Sequence, residues 1–507
     1  METIDLKLKM NGTVHSWLFP LSVACVPGPM DPLLDEFTRG LMHRFEELGH
    51  KIMERPEEGP EVLLTTGIYN QPISWRESLF FSARRRYRLE RYPTVFTIVH
   101  ITPPRFQAML DLLGSALTKE NPGPEDYPFP GLTHKSYHTL HEQGQRGGPI
   151  MSAVRLLQAQ TKCVRILLVV GDQHPQEAYT FDLVGGHPRT VASDPDEFYT
   201  DLALRIATAM CTHEITDHEV VDDPIPNKVW QRLSAPPAML AAGKEFGIRR
   251  FFTEMVSVAN LVAVPVFDGV ISSQYSEGCY STWDPDLGAL VTTVTGSARP
   301  VDKGHLTENE LAVIVSARPD GRGARIRHVE GKRNDPPSSE AVELIEMDSR
   351  LPRLAWDQVS GQPLAGVFNH NPNNMSRTLT VPVVRSKLHG HRGVRSYDPR
   401  WVEHAYLDKP YYHYPVSCST EAQARAIQTA FGRSEALNNP ADPRQVVFTV
   451  LPGHGMVVVE KWVPGKAPFQ VIWELMDAGA LEITNLIPQG PLVFKPDSLG
   501  RMVLEEL

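Results

Sequence analysis

Cysteine is scarce in this chain: five in 507 residues, at positions 25, 163, 211, 279 and 418, odd in number and without a CxxC pair. That scatter speaks against a disulfide framework and against a zinc site built on thiolates, and it fits a reducing, cytoplasmic setting. Long apolar runs are missing too. No window approaches 18 uncharged apolar residues, so no membrane-spanning helix is expected. Residues 1–17 lack the apolar core of a signal peptide. Nor is positive charge concentrated. The net charge is −10, whereas a nucleic-acid partner requires a dense basic face to meet phosphates. The one basic run, Arg84-Arg85-Arg86-Tyr87-Arg88, reads as a solvated helix face or an intersubunit contact. Gly185-Gly186-His187-Pro188 lacks the lysine and the glycine spacing of a phosphate loop, and Cys211-Thr-His-Glu-Ile-Thr-Asp-His-Glu lacks the spacing of a helical HExxH site. There is no internal repeat and no low-complexity tract.

What remains is an ordinary globular composition, 41% hydrophobic and 22% charged, with material for several cores. A chain this long exceeds what one core usually organises, so two to four domains are expected. The first third alternates strand-like runs (18–26, 61–66, 94–101) with helical stretches (32–48, 75–90, 104–118), the pattern of a parallel sheet covered on both faces. A linker rich in proline and acid spans 119–133. Beyond it come a helix at 148–160, a buried strand at 164–170, a strand at 179–186, and helices at 197–211 and 244–257. The apolar run 261–271 leads into the segment of greatest chemical interest. From about 296 onward, β-branched runs (310–317, 379–384, 446–451, 456–463) predict a β-rich, barrel-like region. The expected organisation is α/β: a parallel-sheet domain over 1–145, a second over 146–295, and a β-rich C-terminal domain over 296–507.

Three places carry candidate chemistry. Ser276-Glu277-Gly278 follows an apolar run, and ligands gather beyond the carboxyl ends of such strands; a lone Glu-Gly is otherwise a solvated loop. Asp302 sits in Ala298-Arg-Pro-Val-Asp-Lys-Gly, where a turn aspartate is the commoner role. His413 lies among tyrosines, in Tyr411-Tyr-His-Tyr-Pro-Val-Ser-Cys-Ser, where a packed, hydrogen-bonded ring is the commoner role.

Taken together, these residues and their flanks resemble the L-fucose and L-arabinose isomerases. That family binds its divalent metal with a Glu at an E-G pair, an Asp or Glu about 25 residues later, and a His nearer the C-terminus. Asp302 follows Glu277 by 25 residues. The stretch 412–431, with its Ser-Thr-Glu helix start, looks like the family's segment after the His, and 287–296 and 308–314 look like the helix and strand around its second ligand. The resemblance covers about 270–320 and 405–435. It implies two flavodoxin-like domains before the β-rich one and Mn²⁺ or Mg²⁺ on Glu277, Asp302 and His413. It also implies proton transfer by the two carboxylates through a cis-enediol, and a homo-oligomer (trimer or hexamer) with sites at subunit interfaces. Two carboxylates and an imidazole suit such a hard ion, which stabilises an enediolate. The expected substrate is a sugar or sugar derivative. An epimerase or aldolase acting on a sugar acid, or a non-catalytic sugar-binding protein, remains open.

This chain departs from the family in two places. A further His of the arabinose isomerases has no counterpart in Leu311–Ala317, where Ser316 or a neighbour stands, and the usual Glu-Gly-Asp is Glu-Gly-Cys, with Cys279 third. Elsewhere, His389 and His391 form an HxH pair, which on a strand points both rings to one face. It is a metal site in its own right, a substitute for His413, part of a sugar-lining loop with Arg385 and Arg392, whose guanidinium forks suit an anionic group, or a surface basic loop. Tyr412 and Trp283 complete the expected substrate-binding set.

Overall fold

The computed structural model describes residues 21–69, 94–116, 166–207, 218–252, 278–341, 350–368, 380–408, 421–451, 454–484 and 492–505, less short stretches inside them. The expected elements at 75–90, 148–160 and 261–271 lie outside the described residues, as do Glu277, Tyr412 and His413. The chain divides into two compact units: residues 1–212, 254–273 and 414–418 form the first, and residues 213–253, 274–413 and 419–507 form the second. Among the described residues no helix is long and apolar enough to cross a membrane.

The first unit is built on a seven-stranded sheet: β1 (Ser22–Val26), β2 (Lys51–Met53), β3 (Val62–Ile68), β4 (Thr94–Ile101), β5 (Ile166–Gly171), β6 (Pro175–Asp182) and β7 (Gly185–Thr190), in the order β2-β1-β3-β4-β5-β6-β7. The first five are parallel. Their continuous apolar runs, such as Ile166-Leu-Leu-Val-Val, are what strands buried on both faces require. Strands from both sides of position 145 share this sheet. The strand expected at 179–186 is instead the hairpin β6–β7. Helix α1 (Pro32–Glu47) starts as its sequence dictates. Asp31 accepts from the Leu33 and Leu34 amides, and Pro32 fills the first turn. Leu33, Leu34, Phe37, Leu41 and Phe45 face the core, and Gly49 follows with φ 86°. Asp31 also meets the His100 ring at 2.6 Å, tying α1 to the end of β4. Helix α2 (Pro103–Ala116) follows β4.

The second unit holds a nine-stranded sheet: β8 (Glu219–Val220), β9 (Cys279–Asp284), β10 (Ala289–Thr293), β11 (Leu311–Ala317), β12 (Ala324–Arg327), β16 (Val384–Gly390), β18 (Val402–His404), β19 (Val446–Leu451) and β20 (Gly455–Lys461). Its order is β18-β19-β20-β16-β9-β10-β11-β12-β8. Strands β13 (Arg353–Asp357), β14 (Gln362–Phe368) and β15 (Thr380–Pro382) form a three-stranded sheet, and β17 (Gly393–Tyr397), β21 (Leu481–Thr484), β22 (Phe494–Pro496) and β23 (Met502–Leu504) a four-stranded one. The protein is thus mixed α/β with a large β-rich region. Strands β10 and β11, on either side of position 295, are hydrogen-bonded neighbours. Residues 287–296, expected as a helix, supply β10. The turn after Asp284 closes through Gly288 at φ 63°, and β-branched Val291, Thr292 and Thr293 pack as a buried strand.

Each face of this sheet has its own core. On one face lie α3 (Asn227–Trp230), α4 (Ala235–Ile248) and α7 (Gln470–Asp477), packed on Tyr280, Leu388, Phe448 and Val458. The helix expected over 244–257 therefore begins earlier and stops at Ile248. On the other face lie α5 (Glu421–Gly432) and α6 (Glu435–Asn438), packed on Cys279, Val457 and Val459. Buried Glu460 fixes α7: its carboxylate accepts from Ser386, Phe469, Val471 and Ile472, while burial pushes its pKa up to about 7.

Candidate metal centre

Strand β16 runs between β20 and β9, and His389 near its end pairs with Val457 on one side and Cys279 on the other. The side chain therefore points to the α5 face, with Cys279 and Val457 as core neighbours. Its Nδ1 lies 3.1 Å from the Met456 carbonyl oxygen. A carbonyl only accepts, so Nδ1 carries the proton and Nε2 carries the lone pair.

His391 follows two residues later, after Gly390. A Cβ on Gly390 would stand 2.6 Å from the Phe251 ring. His454 occupies the turn from β19 to β20, its amide donating to Leu451 O at 2.9 Å. The next residue, Gly455, lies so close to β16 that a Cβ would meet Gly390 O at 2.3 Å and His391 Cα at 3.0 Å. Gly455 thus lets the start of β20 touch the end of β16, Gly390 leaves room for the Phe251 ring, and the histidines beside them converge. Glu340 lies in a helical stretch that begins at 339. It is anchored to β10 by the Val294–Pro337 bridge and by the Ser338 amide on Thr293 O, and the Ser338 hydroxyl donates to its Oε2 at 2.8 Å.

The result is a cluster of Glu340, His389, His391 and His454, with one ligand-type atom from each lying within 4.8 Å of all the others. The four residues are 2%, 1%, 7% and 9% exposed. The ring centroids stand 5.3, 4.9 and 4.8 Å apart with interplanar angles of 70°, 87° and 80°, and His391 Nε2 faces His454 Nε2 at 3.1 Å. With metal–nitrogen bonds of about 2.1 Å and angles of roughly 100°, three imidazoles on one ion bring their nitrogens about 3.2 Å apart and ring centres about 5 Å apart. The observed spacing has that size. Outer partners are in place as well, since metal-binding imidazoles are held by a second hydrogen bond. Met456 O serves His389, the Gln423 side-chain amide lies 3.1 Å from His454 Nδ1, and Ser338 serves Glu340. A buried cluster of one glutamate and three histidines is therefore able to bind a metal ion.

Of the residues expected from the sequence, His389 and His391 come together here on one face of β16 and its continuation. Asp302 does not join them. Its side chain is 57% exposed, with Oδ1 accepting from the Gly304 amide at 2.8 Å and Oδ2 lying 2.7 Å from His305 Nδ1, the geometry of a turn aspartate. Trp283 is buried on β9 beneath the Arg353 guanidinium, 5.5 Å above its ring. Arg385 stacks 4.8 Å over Trp462 and donates to Lys466 O, and burial holds its pKa below the usual guanidinium range. Arg392 lies 5.1 Å over Phe251. Cys279 is fully buried in the core, in no disulfide.

Sequence reasoning missed Glu340 and His454. For His454 there was a signal: His-Gly-His and Gly-His-Gly each pair histidine with glycine at a strand end. For Glu340, which directly follows Asp335-Pro-Pro-Ser-Ser, there was none. The chain matches no family model, no curated protein and no solved structure.

Proposed function

We propose that this protein is a metal-dependent enzyme whose single divalent transition ion is held by Glu340, His389, His391 and His454. What supports the reading is convergence: four buried donors, brought from three separate stretches of the chain, lie within 4.8 Å of one another. Three neutral imidazoles and one carboxylate make a donor set of intermediate softness, suited to Zn²⁺, Fe²⁺ or Ni²⁺ more than to Mg²⁺. When bound, such an ion polarises a substrate oxygen and acidifies a bound water. The chain's own part is to hold and orient. His389 is fixed with its Nε2 lone pair inward by Met456 O, Glu340 is fixed by Ser338, and α5 with the sheet face keeps water out. Metal analysis of the purified, reconstituted protein tests this. About one ion per chain is expected, lost in His389→Ala and His454→Ala; a wild-type chain that takes up no transition metal contradicts it.

A second reading keeps the sugar isomerase resemblance: an aldose–ketose isomerase using Mn²⁺ (or Mg²⁺), acting through a cis-enediol in a cytoplasmic homo-oligomer. The parallel order β2-β1-β3-β4-β5 favours it, because that is the order of flavodoxin-like sheets. Of its ligands Glu277, Asp302 and His413, only Asp302 is described, and it would have to leave His305 to reach an ion. Proton NMR of candidate sugars in D₂O tests this reading, with exchange at C2 and ketose formation expected; no exchange with any aldose contradicts it. An epimerase or aldolase on a sugar acid shares the enediolate chemistry and would show exchange without ketose.

A further inference from the structure

We propose that a cavity at the β18 edge of the nine-stranded sheet binds a free α-amino acid with an apolar side chain. The proposal is independent of the metal reading. The cavity holds about 330 Å³ and lies inside the second unit, between the chain at 403–407 and the corner where α5 gives way to α6. Small-molecule sites begin at roughly 300 Å³. β18 is the outermost strand of its sheet, so the cavity sits at an edge. None of the four clustered donors lines it. About 10 Å of α5 separates Ala430, on the cavity wall, from Gln423, which meets His454.

The walls combine an apolar surface with one free cation arm and one free anion oxygen. Ala405, Leu407 and Ala430 belong to the α5-face core and supply the apolar part. Arg433 supplies the cation. Its Nη1 donates to Asp408 Oδ1 at 2.7 Å, and the rest of the guanidinium meets no acceptor among the described residues. Glu435 supplies the anion: its Oε2 accepts from Arg444 at 3.2 Å, while Oε1 has no partner among the described residues. Glu403, the other carboxylate on the wall, is already taken up by the Ser434 hydroxyl and the amides of Glu435 and Ala436. His404 completes the wall. It is 6% exposed, its ring is neutral, and its Nδ1 has no hydrogen-bond partner among the described residues. A buried nitrogen left unsatisfied is costly, so its place beside a cavity points to a polar guest. The two charges decide which guest. A guanidinium fork matches a carboxylate, and the Glu435 carboxylate matches an ammonium. A zwitterion answers both, with its side chain on the apolar wall, whereas a guest of single charge answers one and leaves the other unmet.

The test is equilibrium dialysis of the full chain with radiolabelled L-leucine, competed by isovalerate, which lacks the ammonium, and by isoamylamine, which lacks the carboxylate. Leucine is expected to bind saturably, and each competitor to displace it at least about tenfold less effectively than unlabelled leucine, since each forgoes one charge-assisted bond. Arg433→Gln is expected to weaken leucine by about tenfold, and Glu435→Gln by about fivefold. Both side chains are exposed, so both variants are expected to fold, which thermal melts check. Should Arg433→Gln fail to fold, Glu435→Gln carries the test. The proposal is overturned by the absence of saturable leucine binding, by either competitor matching leucine, or by wild-type leucine affinity in a folded Arg433→Gln or Glu435→Gln chain.

Discussion

His391 Nε2 and His454 Nε2 face each other at 3.1 Å, although 63 residues separate them in the chain. Between two such nitrogens there is room for one proton, or for a cation when both lone pairs turn inward. Which occurs depends on His454 Nδ1, and that nitrogen is met by Gln423. With the amide nitrogen toward the ring, Nδ1 accepts and the proton sits on Nε2. With the amide turned over, the oxygen accepts from Nδ1–H and Nε2 is left free to ligate.

Gln423→Glu, an acceptor in either orientation, is therefore expected to tighten metal binding. Gln423→Leu is expected to weaken it by about 10–100-fold, the usual range for an outer-shell partner. Competition with a chromophoric chelator reads both.

The approach of Gly455 to Gly390 makes a second prediction. A Cβ at 455 would lie 2.3 Å from a backbone oxygen, which has no freedom to step aside. Gly455→Ala is expected to cost roughly 2 kcal/mol or more and to lower metal affinity by shifting His454 against His391. Gly288→Ala is the control. It has the same kind of added methyl in open space, with only its φ of 63° opposing it, so about 1 kcal/mol and unchanged metal affinity are expected. Thermal melts with and without metal separate the two.

Acid should destabilise each unit through one buried histidine. In the second unit His404 stacks on Phe448 at 4.6 Å, and burial pushes its pKa down to about 3. In the first, His50 accepts from the Leu21 amide on Nδ1, and burial pushes it down to about 4. Both are held neutral when folded and protonate near 6.5 when unfolded. Their contribution is thus complete above pH 6.5 and is lost as pH falls toward the folded values. From pH 7 to 4.5, His404 alone accounts for roughly 3 kcal/mol. Urea unfolding at the two pH values checks this, and His404→Phe is expected to flatten the second unit's dependence.

Much of the scaffold could be read from the sequence because its causes are local. Asp31-Pro32 with apolar residues at 33, 34, 37, 41 and 45 specifies α1, and the runs that became β3, β4, β5, β19 and β20 are continuous and β-branched. Where causes are not local, reading failed. Residues 287–296 carry as much helix-like as strand-like character, and only pairing with β9 and β11 decides. The cluster is the extreme case. His389 and His391 announce themselves as an HxH pair, but His454 reaches them only because β20 lies against β16, and Glu340 only because residues 337–338 are pinned to β10. Asp302 attracted attention by its spacing from Glu277, a signal that cannot register how exposed it is.

The central claim is that the ion belongs to Glu340 and the three histidines, and one comparison tests it most directly: metal content by elemental analysis in the wild-type chain, His389→Ala/His454→Ala, and Asp302→Asn, all loaded identically. The account predicts about one transition ion per chain in the wild type and in Asp302→Asn, and none in the double variant. Full metal content in the double variant, or its loss in Asp302→Asn alone, would contradict it.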